Sequence, residues 1–244
     1  MAVWGLILGG TAGLLLGGPL GALAGAVVGG AIDGLRAASR PSATDRQQVA
    51  FTIAAIALAA KMAAADGHAS AREFALFQRL FRVPEPERAN AERFYRLAQS
   101  SAAGFEAYAR QAAEILGPGS PVLEDLLEAL LRIATIDGVH ASEVAFLEQV
   151  AATFGFSEAD WARIRARHIG TGEDSPWAVL GVAPGAGPEE VRAAWRRLVK
   201  LYHPDRHMAD GVPSEFIRVA EERMAAINAA YAALTRRAPS GGPA

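Results

Sequence analysis

The sequence predicts an all-α protein made of a membrane helix, a helical bundle and a carboxy-terminal helical hairpin. Three observations carry that reading. Alanine supplies 54 of the 244 residues, the usage of a chain that favours helices. Apolar residues recur at helical spacing through most of the chain, and no run alternates as a half-buried strand would. The first charged side chain is Asp33, so the opening segment is longer and more apolar than a helix of a soluble core needs to be.

Composition narrows the function classes. An apolar fraction of 51% with 20% charged residues is enough for a packed core and too apolar for an unfolded chain. A net charge of −2 gives no basic field, so nucleic acid is not the expected partner. The absence of cysteine excludes disulfides, thiolate catalysis, cysteine-ligated zinc and iron–sulfur clusters.

Residues 1–34 read as a single-pass anchor in a lipid bilayer, long enough at about 1.5 Å per residue to cross a hydrocarbon core of roughly 30 Å. Gly5, Gly9, Gly13, Gly17, Gly21, Gly25 and Gly29 recur every fourth residue. Such a stripe of small residues lets two membrane helices approach closely, which predicts a homodimer through this segment. Pro19 adds a kink. Ala22-Leu23-Ala24 would serve as a signal-peptidase site, but no basic region precedes the apolar run. Arg36, Arg40 and Arg46 follow the segment, within a juxtamembrane linker at 35–46. By the positive-inside rule they place the remaining domains in the cytoplasm and the amino terminus across the membrane.

Residues 47–169 read as a soluble bundle. The apolar run from Val49 to Ala60 is too short to span a bilayer and fits a buried central helix. Further helical patterns cover about 71–82, 86–99, 103–116, 121–136, 143–154 and 158–168. The bundle contains an echo: Lys61 to Glu73, with Asp66-Gly67 and Ser70, returns 71 residues later as Arg132 to Glu143, with Asp137-Gly138 and Ser142. Glycine closes one helix, and Ser70 with Glu73 forms a capping box for the next. The chemical alternative is a site for Ca²⁺ or Mg²⁺ made by Asp66, Glu73, Asp137 and Glu143, all hard oxygen ligands. Neither copy has the loop of an EF-hand. Paired helices with A-D-G-x-x-S-x-x-E resemble the TerB-like, tellurite-resistance family over about 120 residues, with Val144 departing from an acidic position in the second copy. No nucleophile and base arrangement for an enzyme is present.

After a hinge at 170–174, residues 175–237 form a self-contained unit, and 238–244 read as a disordered tail rich in Pro, Gly and Ser. Pro176 to Val182 is a short helix stopped at Gly181. Pro188-Glu189-Glu190 opens a second helix with the residues a helix start prefers. Its apolar face holds Val191, Trp195, Leu198 and Leu201 or Tyr202, and its other face holds Arg192, Arg196, Arg197 and Lys200. Pro204 ends that helix and holds His203 and Asp205 in a defined loop. A last amphipathic helix runs from Ser214 to about Leu234, with Phe216, Val219, Met224, Ile227 and Tyr231 as its stripe.

On W-x-V-L-G-V, A-W-R-R-L, Y-H-P-D-R and I-N-x-A-Y-x-x-L, residues 175–236 resemble a J-domain. Trp195 stands where that family usually has tyrosine. Anchor, TerB-like middle and terminal J-domain together resemble the DjlA family, the membrane-anchored DnaJ-like co-chaperones of Gram-negative bacteria. The linker before the J-domain is only a few residues long, and the glycine/phenylalanine region and zinc repeats of full DnaJ are missing. The resemblance implies a DnaK-type ATPase as partner, with ATP hydrolysis stimulated through His203, Pro204 and Asp205, and no bond-breaking residue or cofactor in this chain. The basic face would steer docking onto an acidic surface. Asp205 would pair with a basic group of the partner, and His203 would position the loop. The rival reading is a membrane stress sensor or metal-binding adaptor working through the TerB-like part. The client is not legible.

Overall fold

The computed structural model describes residues 43–65, 70–81, 83, 85, 88–99, 103–169, 175–209 and 217–236. The anchor with its seven glycines, Asp66, the hinge at 170–174 and the tail at 238–244 lie outside them. Every regular element among the described residues is helical, and no helix there is long and apolar enough to cross a membrane.

Helix α1 spans Ala43–Ala63 and begins earlier than its apolar run because its first turns are polar. From Phe51 to Ala63 all its residues are buried, and the small side chains that dominate the run let neighbouring helices close around it. The chain continues as α2 (Ala71–Leu80), α3 (Arg88–Ala98), α4 (Phe105–Leu116), α5 (Pro121–Ala134), α6 (Ala141–Thr153) and α7 (Glu158–Ala166); α3, α4, α5 and α6 pack on α1, α2 packs on α5, and α7 packs on α5 and α6. The echoed segments therefore border an almost featureless central rod. Thr52 and Lys61 bring polar groups of α1 into this core: Thr52 Oγ1 donates to the Gln48 carbonyl at 2.8 Å, Lys61 Nζ donates to the Ala103 carbonyl at 2.6 Å, and burial lowers the Lys61 pKa despite Glu106.

Local chemistry sets the helix ends. Ser70 and Glu73 make the expected capping box at α2, the Arg72 amide donating to Ser70 Oγ and the Ser70 amide to Glu73, each at 3.0 Å. Ser157 and Asp160 make another at α7. The second copy of the echo has no such box, for His140 caps α6 without a side-chain bond. Gly155 closes the α6–α7 corner with φ +87°, and a Cβ there would meet Pro118 Cβ at 3.0 Å, so glycine is required on both counts.

The carboxy-terminal unit contains α8 (Pro176–Leu180), α9 (Pro188–Leu201), α10 (Pro204–Ala209) and α11 (Ile217–Arg236). Gly181 ends α8 in the left-handed region at φ 66°. Leu180, Val191, Ala194, Tyr202, Ile227, Ala230 and Leu234 form a second apolar core. Trp195 lies flat on Tyr231 at 4.6 Å and donates Nε1–H to Asn228 at 2.9 Å. Its indole is thereby held against α11 by both stacking and a hydrogen bond. The two cores are joined through α11, whose first turn places Ile217 and Val219 in the core of the bundle.

Candidate functional site

Helix α9 starts at Gly187 with Pro188 in the first turn, Glu189 and Glu190 at its positive end and Lys200 at its negative end. This is the charge order the helix dipole favours. Burying Val191 and Ala194 turns Arg192, Arg196, Arg197 and Lys200 outward, and all four are exposed. Among the described residues only Arg192 pairs with an acid on its own helix, Glu189 at 3.5 Å, with both side chains more than half exposed. The face runs straight into the turn, with Lys200 three residues before His203.

The turn differs from the expected loop. Pro204–Ala209 is a short helix, α10. Proline breaks a helix from within but is tolerated in a first turn, where its missing N–H would have had no partner. His203 stands just ahead of it: Nδ1 accepts from the Asp205 amide at 3.2 Å, and its carbonyl accepts from the Arg206 amide at 3.0 Å. The Asp205 carboxylate lies 3.6 Å from His203 Nδ1, and both side chains are more than half exposed. Met208, 46% exposed, puts an apolar side chain on the same short helix.

One residue earlier the environment reverses. Tyr202 is 4% exposed, and its phenol donates to Glu124 Oε2 of α5 at 2.7 Å. The Arg223 guanidinium of α11 sits 4.0 Å from the centre of the Tyr202 ring. Arg223 also pairs with Glu124 at 2.8 Å and with Asp125 and Glu128. Glu124 further accepts from Arg163 at 3.0 Å and Arg167 at 2.6 Å. Burial pushes the Glu124 carboxyl upward, but Arg223, Arg163 and Arg167 outweigh it and hold its pKa at about 2. Burial and the adjacent Glu124 carboxylate push the Tyr202 phenol up, so it stays a donor. On the rim Arg132 pairs with Glu222, and Arg218 donates to the Arg79 carbonyl at 3.3 Å. Beside the cluster lies a cleft of about 660 Å³ lined by both units, including Arg167, His168, Val179, Leu198 and Ile227.

This cluster is absent from the sequence reading. Its only trace is the placement of Glu124, Asp125, Glu128 and Arg132 at i, i+1, i+4 and i+8 in an otherwise leucine-rich helix, which reads equally well as a solvated face.

The proposed metal ligands are distributed differently. Glu73 and Glu143 are buried, and both act electrostatically on the Tyr95 phenol, whose pKa burial already raises. Asp137 binds the Ser70 hydroxyl and Arg72, at 3.2 Å from the latter, and the Ser70 bond holds its carboxyl below the usual range. Among the described residues no group of three or more His, Asp or Glu is placed to hold an ion.

Comparison with known proteins finds three family models in chain order. They are the Co-chaperone DjlA transmembrane domain over residues 1–47, the tellurite resistance protein TerB over 52–166 and the DnaJ domain over 175–239. The Co-chaperone protein DjlA of Photobacterium profundum is 27% identical over 94% of this chain and 96% of its own. That of Vibrio parahaemolyticus is 30% identical over 78% of each chain. The DnaJ homolog subfamily C member 27 of Rattus norvegicus is 48% identical over 59 residues, 24% of this chain and 21% of its own. No solved structure matches. With the three domains in this order and relatives that match along most of their length, the chain belongs to the DjlA co-chaperone family.

Proposed function

We propose that this chain stimulates ATP hydrolysis by a DnaK-type chaperone at the inner membrane, acting as a regulator and not as an enzyme. The observation that carries the reading is the exposure of His203 and Asp205 on either side of Pro204, continuous with four exposed cations on α9 and the exposed apolar Met208 on α10. A basic face steers encounter with an acidic partner surface. Asp205 then supplies a carboxylate for a charge-assisted pair with a partner cation, and His203 holds the first turn of α10 through the Asp205 amide. Docking shifts the partner between conformations, so the chemistry remains the partner's own.

Residues 1–34 would anchor the chain, amino terminus in the periplasm and folded domains in the cytoplasm. The glycine stripe would pair two copies, and the segment at 170–174 would join the TerB-like part to the J-domain. The test is single-turnover ATP hydrolysis by the chaperone with the full chain in detergent micelles. Wild type is expected to accelerate hydrolysis, and His203→Gln to abolish the effect. Equal inactivity of both with the cognate chaperone rejects the reading.

A second reading is a metal-dependent adaptor role for the TerB-like part, in which the buried carboxylates Glu73 and Glu143 would take part. It predicts that Ca²⁺ or Mg²⁺ raises the melting temperature of the full chain and that Asp66→Ala with Asp137→Ala removes the shift.

A further inference from the structure

We propose that Glu124, a residue of the bundle, is a positioning residue for the His203–Pro204–Asp205 turn and acts on it through Tyr202. The inference rests on the co-chaperone reading above and adds that the TerB-like part sets the geometry of the docking turn.

Tyr202 is the pivot of the region. Its amide still belongs to α9, donating to the Leu198 carbonyl at 2.9 Å, and the next residue opens α10. The direction in which His203 leaves α9 therefore depends on how the Tyr202 backbone is held. The side chain is fixed at both its face and its tip by the other unit and by α11. Arg223 covers the ring at 4.0 Å, and Glu124 accepts a hydrogen bond from the phenol at 2.7 Å. Glu124 is itself immobilised by Arg163 and Arg167, both outside the J-domain. A hydrogen bond to a buried carboxylate is directional and stronger than a neutral one. It restrains a residue whose neighbour, His203, has no contact with the bundle of its own among the bonds described above.

Two kinds of charge thus divide the work. The exposed cations of α9 bring the partner in, and the buried carboxylate fixes what the partner meets. Removing the second leaves affinity intact and lowers the effect of binding, a signature that simple destabilisation does not produce.

The test uses the full chain in detergent micelles with Tyr202→Phe, Glu124→Gln and the double variant. Tyr202→Phe keeps the ring under Arg223 and removes only the phenolic donor, so it folds even if Glu124→Gln does not. Two quantities are read: chaperone-stimulated hydrolysis against co-chaperone concentration, and amide hydrogen exchange at His203, Asp205 and Arg206. Tyr202→Phe is expected to lower maximal stimulation about tenfold or more, the factor of one hydrogen bond to a charged group, with the half-saturating concentration unchanged. Exchange at the three amides is expected to rise, and the double variant to lose no more than the worse single one. Unchanged exchange overturns the proposal, and so do losses that multiply in the double variant or faster exchange with unaltered maximal stimulation. If wild type gives no stimulation, the co-chaperone reading fails on its own. The exchange data still decide whether Glu124 positions the turn.

Discussion

The J-domain carries two charged surfaces that sequence alone would treat alike, and their environments are opposite. On α9 the cations are exposed and largely unneutralised, so the helix keeps a net positive field available to a partner. At the contact between α5 and α11 the charges are buried, paired and hydrogen-bonded several times over. Arg223 is only 8% exposed and meets three carboxylates that are as deeply covered. The first surface is charge held in reserve, and the second is charge consumed in holding two units together. Burial and pairing, not the count of arginines, separate an open cationic face from an internal joint.

The most severe way to break this contrast is Arg223→Ala. It would leave Glu124, Asp125 and Glu128 buried without their shared cation, and loss of one partner from a buried ion cluster costs about 3–5 kcal/mol. Chemical denaturation should show that loss, whereas Arg196→Glu on the exposed face should change stability by less than about 0.5 kcal/mol.

Acid sharpens the same difference. The Glu124 carboxyl ionises at about 2 in the folded protein, below its unfolded value of about 4.3. Its contribution is therefore fully present above that unfolded value and is lost as the pH falls from there through about 2. Hydrogen exchange of α11 amides should stay protected from neutrality to about pH 5 and rise below it. Protection that vanished near pH 6 would contradict the pairing.

On the open face the expected effect is kinetic. Arg196→Glu should slow association with the chaperone, and 0.5 M salt should do the same to wild type, since the screening length falls to about 4 Å. Stopped-flow rates that ignored both would remove steering. Smallest of all is Arg132→Gln. Its pair with Glu222 is about one-third exposed on both sides, and such pairs contribute about 0–1 kcal/mol. A thermal melt should barely move.

The sequence made local features legible because local physics determines them. The Ser70–Glu73 box, the Gly181 stop and the Pro188 start follow from hydrogen-bonding groups within a few residues of one another. So does the exposed basic stripe, since the apolar positions of α9 decide which way it faces. Pro204 misled because the same residue breaks a helix from inside and begins one from its first turn. The joint was illegible for a different reason. Arg223 and Glu124 are 99 residues apart, and a charged residue on an amphipathic helix gives no sign of which partner will desolvate it. Likewise Tyr202 could be placed on the apolar face of α9, but not in contact with a carboxylate from another part of the chain.

The burial of Tyr202 and Arg223 also bears on how far this J-domain is a portable module. A foreign J-domain spliced in after residue 174 would bring its own docking turn intact, yet it would set three carboxylates of α5 against whatever stood at the positions of Tyr202 and Arg223. Unless the graft carried a tyrosine and an arginine there, Glu124 and Glu128 would keep Arg163 and Arg167 but lose Arg223, and the transplanted turn would lose the contact that ties it to α5. The unit to transplant is therefore the J-domain together with the acidic face of α5.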